Sequence, residues 1–188
     1  MAIVLSVVAP ALGQINVLDN PGFESGDLIP WFDSAGGGPE PWNVTSADAH
    51  SGSFSATCVG NRAMGQVFAP LPTSEILEVS FWLEQPAAPL SFEGDNVEFF
   101  YLGAGSESIS IRPSGPDWEF FDVTDALDAG EALVALRIWG YYCGDCIEEN
   151  RTYVDDVSVL LIPEPTAFSL LAFGTLVLVG RRARPCAP

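Results

Sequence analysis

The strongest constraint on the fold is a recurrence of short apolar or alternating runs that turn residues separate. Across residues 15–162 no stretch keeps the 3.6-residue period of an amphipathic helix, and 18 Gly and 15 Pro punctuate the chain. Strands are predicted at Ile15–Leu18, Trp42–Thr45, Phe54–Val59, Met64–Phe68, Leu77–Leu83, Val97–Leu102, Ile109–Arg112, Glu119–Val123, Ala132–Tyr142 and Thr152–Ile162. This spacing predicts an all-β fold, a β-sandwich or jelly roll, with one helical turn at Asp125–Gly130.

The charge balance excludes several classes of function. The chain has 25 Asp and Glu against 7 basic residues, all of them Arg, and a net charge of −18. A chain this acidic repels nucleic acid and anionic membrane surfaces. Without Lys it forms no Schiff base and lacks the Lys of a phosphate-binding loop, and a single His excludes a His-rich metal site.

The N-terminal end differs from the acidic middle. Residues 1–13 form an apolar run with small residues at Ala11 and Gly13 before Gln14, which favours a signal-peptidase site there. The run is short and no basic residue precedes it, so we expect a truncated signal peptide, with a first buried strand as the alternative. The folded domain would then occupy residues 14–162.

The C-terminal segment, residues 163–188, starts with Pro163-Glu164-Pro165 and continues as an apolar run over 167–180. That run is shorter than the roughly 20 residues that span a bilayer. Arg181, Arg182 and Arg184 follow it, and the positive-inside rule places them in the cytoplasm. We expect a hydrophobic helix that tethers an exported domain; the alternative is a buried helix, which the three Arg disfavour.

These three parts, in this order, resemble the PEP-CTERM sorting signal of Gram-negative bacteria that make exopolysaccharide. The resemblance implies that an exosortase, a transpeptidase-like membrane protease, recognises Pro163, Glu164 and Pro165 and removes the tail. It also implies that the protein is held transiently at the inner membrane and then reaches the cell surface or extracellular matrix. Residues 185–188, beyond the Arg cluster, depart from the family pattern.

The middle of the chain carries a series of landmarks that is more informative than any one of them. In order, they are Asn20–Asp27, Trp31, Ala49–Ser53, Gly65–Phe68, Val79–Leu83, Trp118 and Tyr153–Val159. The series resembles carbohydrate-binding modules of the galactose-binding-like jelly-roll type and covers nearly all of residues 15–162. The resemblance implies the fold and a sugar ligand, although this fold carries many functions.

A buried carboxylate is predicted in the last strand. Alternation places Asp155 on the same face as Tyr153, Val157, Val159 and Leu161. Burying a carboxylate is costly unless it is paired or bound to a metal, and hard oxygen ligands suit Ca²⁺. The alternatives are a solvated acidic edge with Asp155 capped by backbone N–H groups, or Asp156 as the buried residue if the register differs by one.

The resemblance to carbohydrate-binding modules supplies a ligand set for that metal. In related modules a structural Ca²⁺ ties the first strand, the loop before the third strand and the last strand. Carried over by position, the ligands are Glu24, Asp48 and Asp155, with the Ser51 carbonyl as a further donor. Such a site would stabilise the fold and would not itself bind sugar.

Sugar recognition needs flat aromatic faces for stacking. Most of the 21 aromatic residues are expected in the core, but Trp82 and Trp139 lie in the middle of strands and Tyr141 precedes a loop. We take these three as stacking candidates. Because an acidic protein repels an anionic glycan, a neutral glycan is the favoured ligand.

The cysteines favour a structural role. Cys143-Gly144-Asp145-Cys146 is predicted to form a disulfide in a loop of an exported protein, rather than a zinc or redox centre. Cys58 is predicted as a buried thiol, with pairing to Cys143 or Cys146 as the alternative.

The sequence predicts an exported, non-catalytic surface or matrix protein that binds exopolysaccharide through a jelly-roll module. One alternative is a structural or adhesive matrix protein without specific sugar binding. A small polysaccharide hydrolase or lyase is the less favoured alternative, because no nucleophile motif occurs and the sequence singles out no pair of carboxylates.

Overall fold

The computed structural model describes residues 14–34, 36, 38–86, 95–140 and 151–162. The predicted signal peptide, the sorting tail with its helix, Tyr141, Cys143 and Cys146 lie outside this part of the chain. Residues Asn16–Leu161 form one compact unit. Within the described residues, no helix is long and apolar enough to cross a membrane.

The described residues form eleven strands and two short 3₁₀ turns. The strands are β1 (Ile15–Asn16), β2 (Phe32–Ser34), β3 (Glu40–Thr45), β4 (Ser55–Val59), β5 (Ala63–Pro72), β6 (Ile76–Glu84), β7 (Asp95–Tyr101), β8 (Gly105–Ile111), β9 (Glu119–Asp122), β10 (Ala132–Trp139) and β11 (Arg151–Leu161). The 3₁₀ turns are Thr73–Glu75 and Thr124–Ala126. The predicted helical turn at Asp125–Gly130 is thus only partly right.

Two antiparallel sheets form a β-sandwich, which confirms the predicted fold class. Sheet A has the order β3–β4–β11–β6–β9, with β1 beside β11, and sheet B has the order β2–β5–β10–β7–β8. Each sheet turns alternate side chains into one shared core. The largest fully buried side chains come from both sheets: Phe81, Leu83 and Val154 from sheet A, and Met64, Phe99, Leu136 and Ile138 from sheet B.

All ten predicted strands are present, with boundaries that differ by a few residues, and β2 was missed. Its three residues are followed by a Gly-rich stretch, and a strand that short carries too little alternation to be recognised. Cys58 is fully buried in the core, as predicted.

The predicted facing of the last strand is wrong for Tyr153 and Asp155, whereas the apolar residues after them do face the core. Asp156 has a φ of +48°, and the pairing of β11 with β6 shifts just after Asp155, which marks a β-bulge. The bulge changes the alternation, so Val154, rather than Tyr153, joins Val157 in the core. Asp155 is fully buried as predicted, but it lies on the outer side of sheet A, under the loop of residues 46–54.

Candidate functional site

The outer face of sheet B carries a compact group of aromatic and charged side chains. On β10, Leu136 and Ile138 enter the core, so Arg137 and Trp139 point to the outer side. Arg137 pairs in register with Glu98 of β7, which places the two side chains next to each other.

A single carboxylate oxygen organises this group. Glu98 Oε2 accepts hydrogen bonds from Arg137 Nη1 and from Trp139 Nε1, each at 3.1 Å. The Arg137 guanidinium carbon lies 4.6 Å from the ring centroid of Phe100 and 5.9 Å from that of Trp139. The guanidinium is thus held beside two rings by charge and cation–π attraction. Its Nε is buried and has no hydrogen-bond partner among the described residues.

Next to Arg137, on the side towards β5 and β2, the outer face of sheet B carries an exposed aromatic ring that lies over a glycine. Phe32 of β2 is 37 % exposed and pairs in register with Gly65 of β5, which in turn pairs with Arg137. A Cβ at Gly65 would lie 3.0 Å from the tip of the Phe32 ring and 2.8 Å from the Leu136 carbonyl oxygen. Only glycine therefore lets the ring lie close to the sheet at this point.

This arrangement combines an apolar surface with directional polar groups. Aromatic rings accept the apolar C–H face of a ligand, while the guanidinium donates and the carboxylate accepts hydrogen bonds. Arg137 and Glu98 offset each other's charge, and their side chains are 26 % and 19 % exposed. The face therefore suits an uncharged ligand rich in hydroxyl groups.

The two described stacking candidates lie on opposite outer faces of the sandwich. Trp82 is on sheet A, where the His50 ring stacks on it at 3.7 Å between centroids and 13° between planes. Phe120 packs beside Trp82 at 5.4 Å, and Trp118 meets the edge of His50. Because His50 covers its ring face, Trp82 is not an open platform, whereas Trp139 belongs to the group on sheet B.

Asp155, the central residue of the predicted calcium site, bonds the 46–54 loop. Its Oδ2 accepts the backbone N–H groups of His50 at 3.0 Å and Ser51 at 3.1 Å, and its Oδ1 accepts that of Asp156 at 2.7 Å. Burial raises the pKa of Asp155 to about 6, and these three hydrogen bonds oppose the rise. The capping by backbone N–H groups matches that part of the alternative, but the carboxylate is buried rather than solvated.

The neighbouring charges also hold this loop. Asp156 accepts a hydrogen bond from the Ser51 hydroxyl at 2.9 Å and contacts His50 Nδ1 at 2.8 Å. Glu24 accepts the backbone N–H groups of Ser53 and Phe54 at 2.9–3.1 Å. Glu24 therefore holds the C-terminal half of the 46–54 loop by hydrogen bonds, and Asp155 holds the middle of that loop in the same way.

The predicted calcium ligands are not gathered into one cage. Asp48 Oδ1 accepts a hydrogen bond from Trp118 Nε1 at 3.2 Å. In the described part of the chain, no three His, Cys, Asp or Glu side chains lie together as a metal site. Backbone N–H groups use part of the acceptor capacity of Glu24 and Asp155, and the calcium site stays a prediction.

A carboxyl pair that sequence reasoning missed lies beside Trp118. Glu84, at the end of β6, is 9 % exposed and hydrogen-bonds to Asp48, while its Oε2 has no partner among the described residues. Burial, the Asp48 carboxylate and Asp117 raise the pKa of Glu84 to about 7. No local sequence signal joins these distant positions.

No family model and no curated protein matches the sequence. Among solved structures, a family 61 carbohydrate-binding module in complex with β-1,4-galactotriose superposes with a TM-score of 0.53 at 19 % identity, over 79 % of this chain and 99 % of that one. A family 16 carbohydrate-binding module gives 0.52 at 18 %, over 78 % and 100 %. An arabinose-bound α-L-arabinofuranosidase gives 0.55 at 14 %, over 78 % of this chain and 26 % of that one. At these identities the likeness is one of fold.

Proposed function

We propose that this protein is a non-catalytic module that binds a neutral glycan on the outer face of sheet B. The observation that carries the proposal is the Arg137–Glu98 pair held between Phe100 and Trp139, with the exposed Phe32 ring beside it. Each sugar unit offers an apolar C–H face and a rim of hydroxyl groups. Those two features match the rings and the ion pair respectively.

The charge of the protein favours a neutral ligand over an acidic one. The net charge is −18, and Glu98 already offsets the positive charge of Arg137. A uronate carboxylate at this point would face Glu98 and the negative field of the whole chain. A pair of sugar hydroxyl groups can donate a hydrogen bond to Glu98 and accept one from Arg137, and it is not repelled by the negative charge.

The fold comparisons support a carbohydrate ligand without identifying it. Two of the similar structures are carbohydrate-binding modules that the chain covers almost completely, and one of them was solved with β-1,4-galactotriose. The matching arabinofuranosidase is covered over only 26 % of its length. This pattern supports a binding module rather than an enzyme.

Affinity electrophoresis of the full chain in gels that contain neutral or anionic polysaccharides tests the proposal. We expect retardation by at least one neutral polysaccharide, and its loss in Trp139→Ala and Arg137→Met. Phe120→Ala is the matched control, because it removes an exposed ring from the opposite sheet. Absence of retardation by every polysaccharide, or equal loss in the control, would refute the assignment.

A structural or adhesive matrix role is the second candidate, and the outer face of sheet A favours it. There the 46–54 loop covers Trp82 with His50, so the aromatic group on that face packs against itself. If sheet B binds no glycan in the gels, this becomes the better description.

We also propose export and sorting, on the strength of the two chain ends. The apolar run of residues 1–13, the Pro163-Glu164-Pro165 tripeptide and the Arg cluster support delivery to the cell surface or matrix through an exosortase. Replacing Arg181, Arg182 and Arg184 by Ala in an exosortase-bearing host should leave the protein unprocessed. Normal processing and release of that variant would overturn the sorting proposal.

A further inference from the structure

The positive charge on the outer face of sheet B is held in an ion pair. Val97 and Phe99 of β7 point into the core, so Glu98 lies on the outer side, opposite Arg137 of β10. Arg137 Nη1 donates to Glu98 Oε2 at 3.1 Å, and within the described residues Glu98 is the carboxylate that pairs with Arg137. Both side chains are partly buried, so water screens their attraction less than it screens a pair at the open surface.

Two sources of negative charge oppose an anionic ligand here, and they differ in their distance from the guanidinium. Glu98 is already bonded to Arg137, so a ligand carboxylate that approached the guanidinium would lie next to the Glu98 carboxylate. The net charge of −18 belongs to the whole chain, and charges more than about 8 Å apart are largely screened at physiological salt. The effect of Glu98 should therefore persist when salt removes the effect of the net charge.

The charge of Glu98 can be removed without removing its hydrogen bonds. Glu98 Oε2 also accepts the Trp139 Nε1–H at 3.1 Å. In Glu98→Gln a side-chain carbonyl oxygen of the same reach can still accept from Arg137 and from Trp139. The guanidinium would then stay beside the Phe100 and Trp139 rings as an uncompensated cation, which is a good partner for a carboxylate.

We propose that Glu98 sets the charge selectivity of this face: it restricts the face to neutral glycans, and its neutralisation turns the same face into a site for uronate-containing glycans. The inference rests on the proposed function and adds the residue that decides which class of glycan is accepted. Glu98 does so through its charge next to Arg137, while the aromatic rings keep their role in stacking.

Affinity electrophoresis of the full chain in matched pairs of polysaccharides tests this proposal. Each pair consists of a neutral polysaccharide, namely β-1,4-galactan, glucomannan or hydroxyethyl cellulose, and the same polymer with its primary hydroxyl groups oxidised to carboxylates. A neutral polymer should retard wild type, and its oxidised form should bind roughly tenfold more weakly or less, at about 20 mM and about 500 mM NaCl alike.

The variant Glu98→Gln should gain roughly tenfold or more in affinity for the oxidised polymer at about 20 mM NaCl and should still bind the neutral one. Glu107→Gln is the matched control, because it removes the same charge from an exposed side chain of the neighbouring strand β8. The comparison of the two salt concentrations uses wild type alone, so it tests the proposal even where a variant does not fold.

Three results would overturn the inference and leave the proposed function standing. They are no gain in Glu98→Gln, an equal gain in Glu107→Gln, and tight binding of the oxidised polymer by wild type once salt screens the net charge. If no neutral polysaccharide retards wild type, the proposed function and the inference both fail.

Discussion

Replacing Glu84 with Gln should stabilise the protein at alkaline pH. Glu84 is 9 % exposed and its pKa is raised from the ordinary 4.5 to about 7, first by burial and then by Asp48 and Asp117. The folded state therefore holds a proton that the unfolded state loses near pH 4.5. Folding stability is greatest below that value, falls as the pH rises from about 4.5 to 7, and carries the full penalty above 7.

The magnitude follows from the size of the shift. Each pH unit of difference between the folded and unfolded pKa is worth about 1.4 kcal/mol, so ionising Glu84 at pH 8 costs about 3 kcal/mol of stability. At pH 5 only about 1 kcal/mol of that cost is present. A Gln side chain never ionises, and its amide N–H can still donate a hydrogen bond to Asp48.

Urea unfolding of wild type and Glu84→Gln, followed by tryptophan fluorescence at pH 5, 6, 7 and 8, measures this difference. The variant should be more stable by about 3 kcal/mol at pH 8, with a gap that narrows towards pH 5. Glu107→Gln, which changes an exposed side chain of β8, is the matched control, and its stability should follow that of wild type at every pH. The reasoning would be refuted if the unfolding free energies of Glu84→Gln and wild type changed in parallel with pH, or if the variant were less stable than wild type at pH 8.

Three further perturbations test other parts of the structure. Asp155→Ala leaves the backbone N–H groups of His50, Ser51 and Asp156 without their acceptor and should cost about 2 kcal/mol in urea unfolding, equally in Ca²⁺ and in EGTA; a loss confined to Ca²⁺ would support the predicted metal instead. Gly65→Ala forces a methyl group towards the Leu136 carbonyl and should cost about 1–3 kcal/mol, whereas an unchanged unfolding midpoint would contradict the close approach. His50→Ala uncovers Trp82 and should shift tryptophan emission to the red at a cost of about 1 kcal/mol, and an unshifted spectrum would show that the ring is covered in another way.

The fold was largely readable from the sequence because its strands are long enough to show alternation. β5, β6, β10 and β11 each have at least eight residues and each was predicted. β2 was not predicted because a strand of three residues is too short to show alternation. The bulge at Asp156 was not predicted because the sequence of Thr152–Leu161 carries no signal for the position at which the alternation shifts.

Only part of the candidate site could be predicted from the sequence. Trp82 and Trp139 look alike in sequence, since each lies within an apolar strand. Their difference arises because the 46–54 loop lies over one sheet and brings His50 onto Trp82. Glu98 and Arg137 carried no signal of their own, because their pairing depends on two strands meeting in register.

The sequence by itself determined the acidic charge, the all-β class and the apolar character of both chain ends, because local composition and periodicity encode these properties. Only the tertiary structure decided that His50 covers Trp82, which carboxylates meet and which residues share the outer face of sheet B. The physical reason is that strand register and loop packing are long-range contacts between segments distant along the chain. One residue of register would place a different set of side chains on each face.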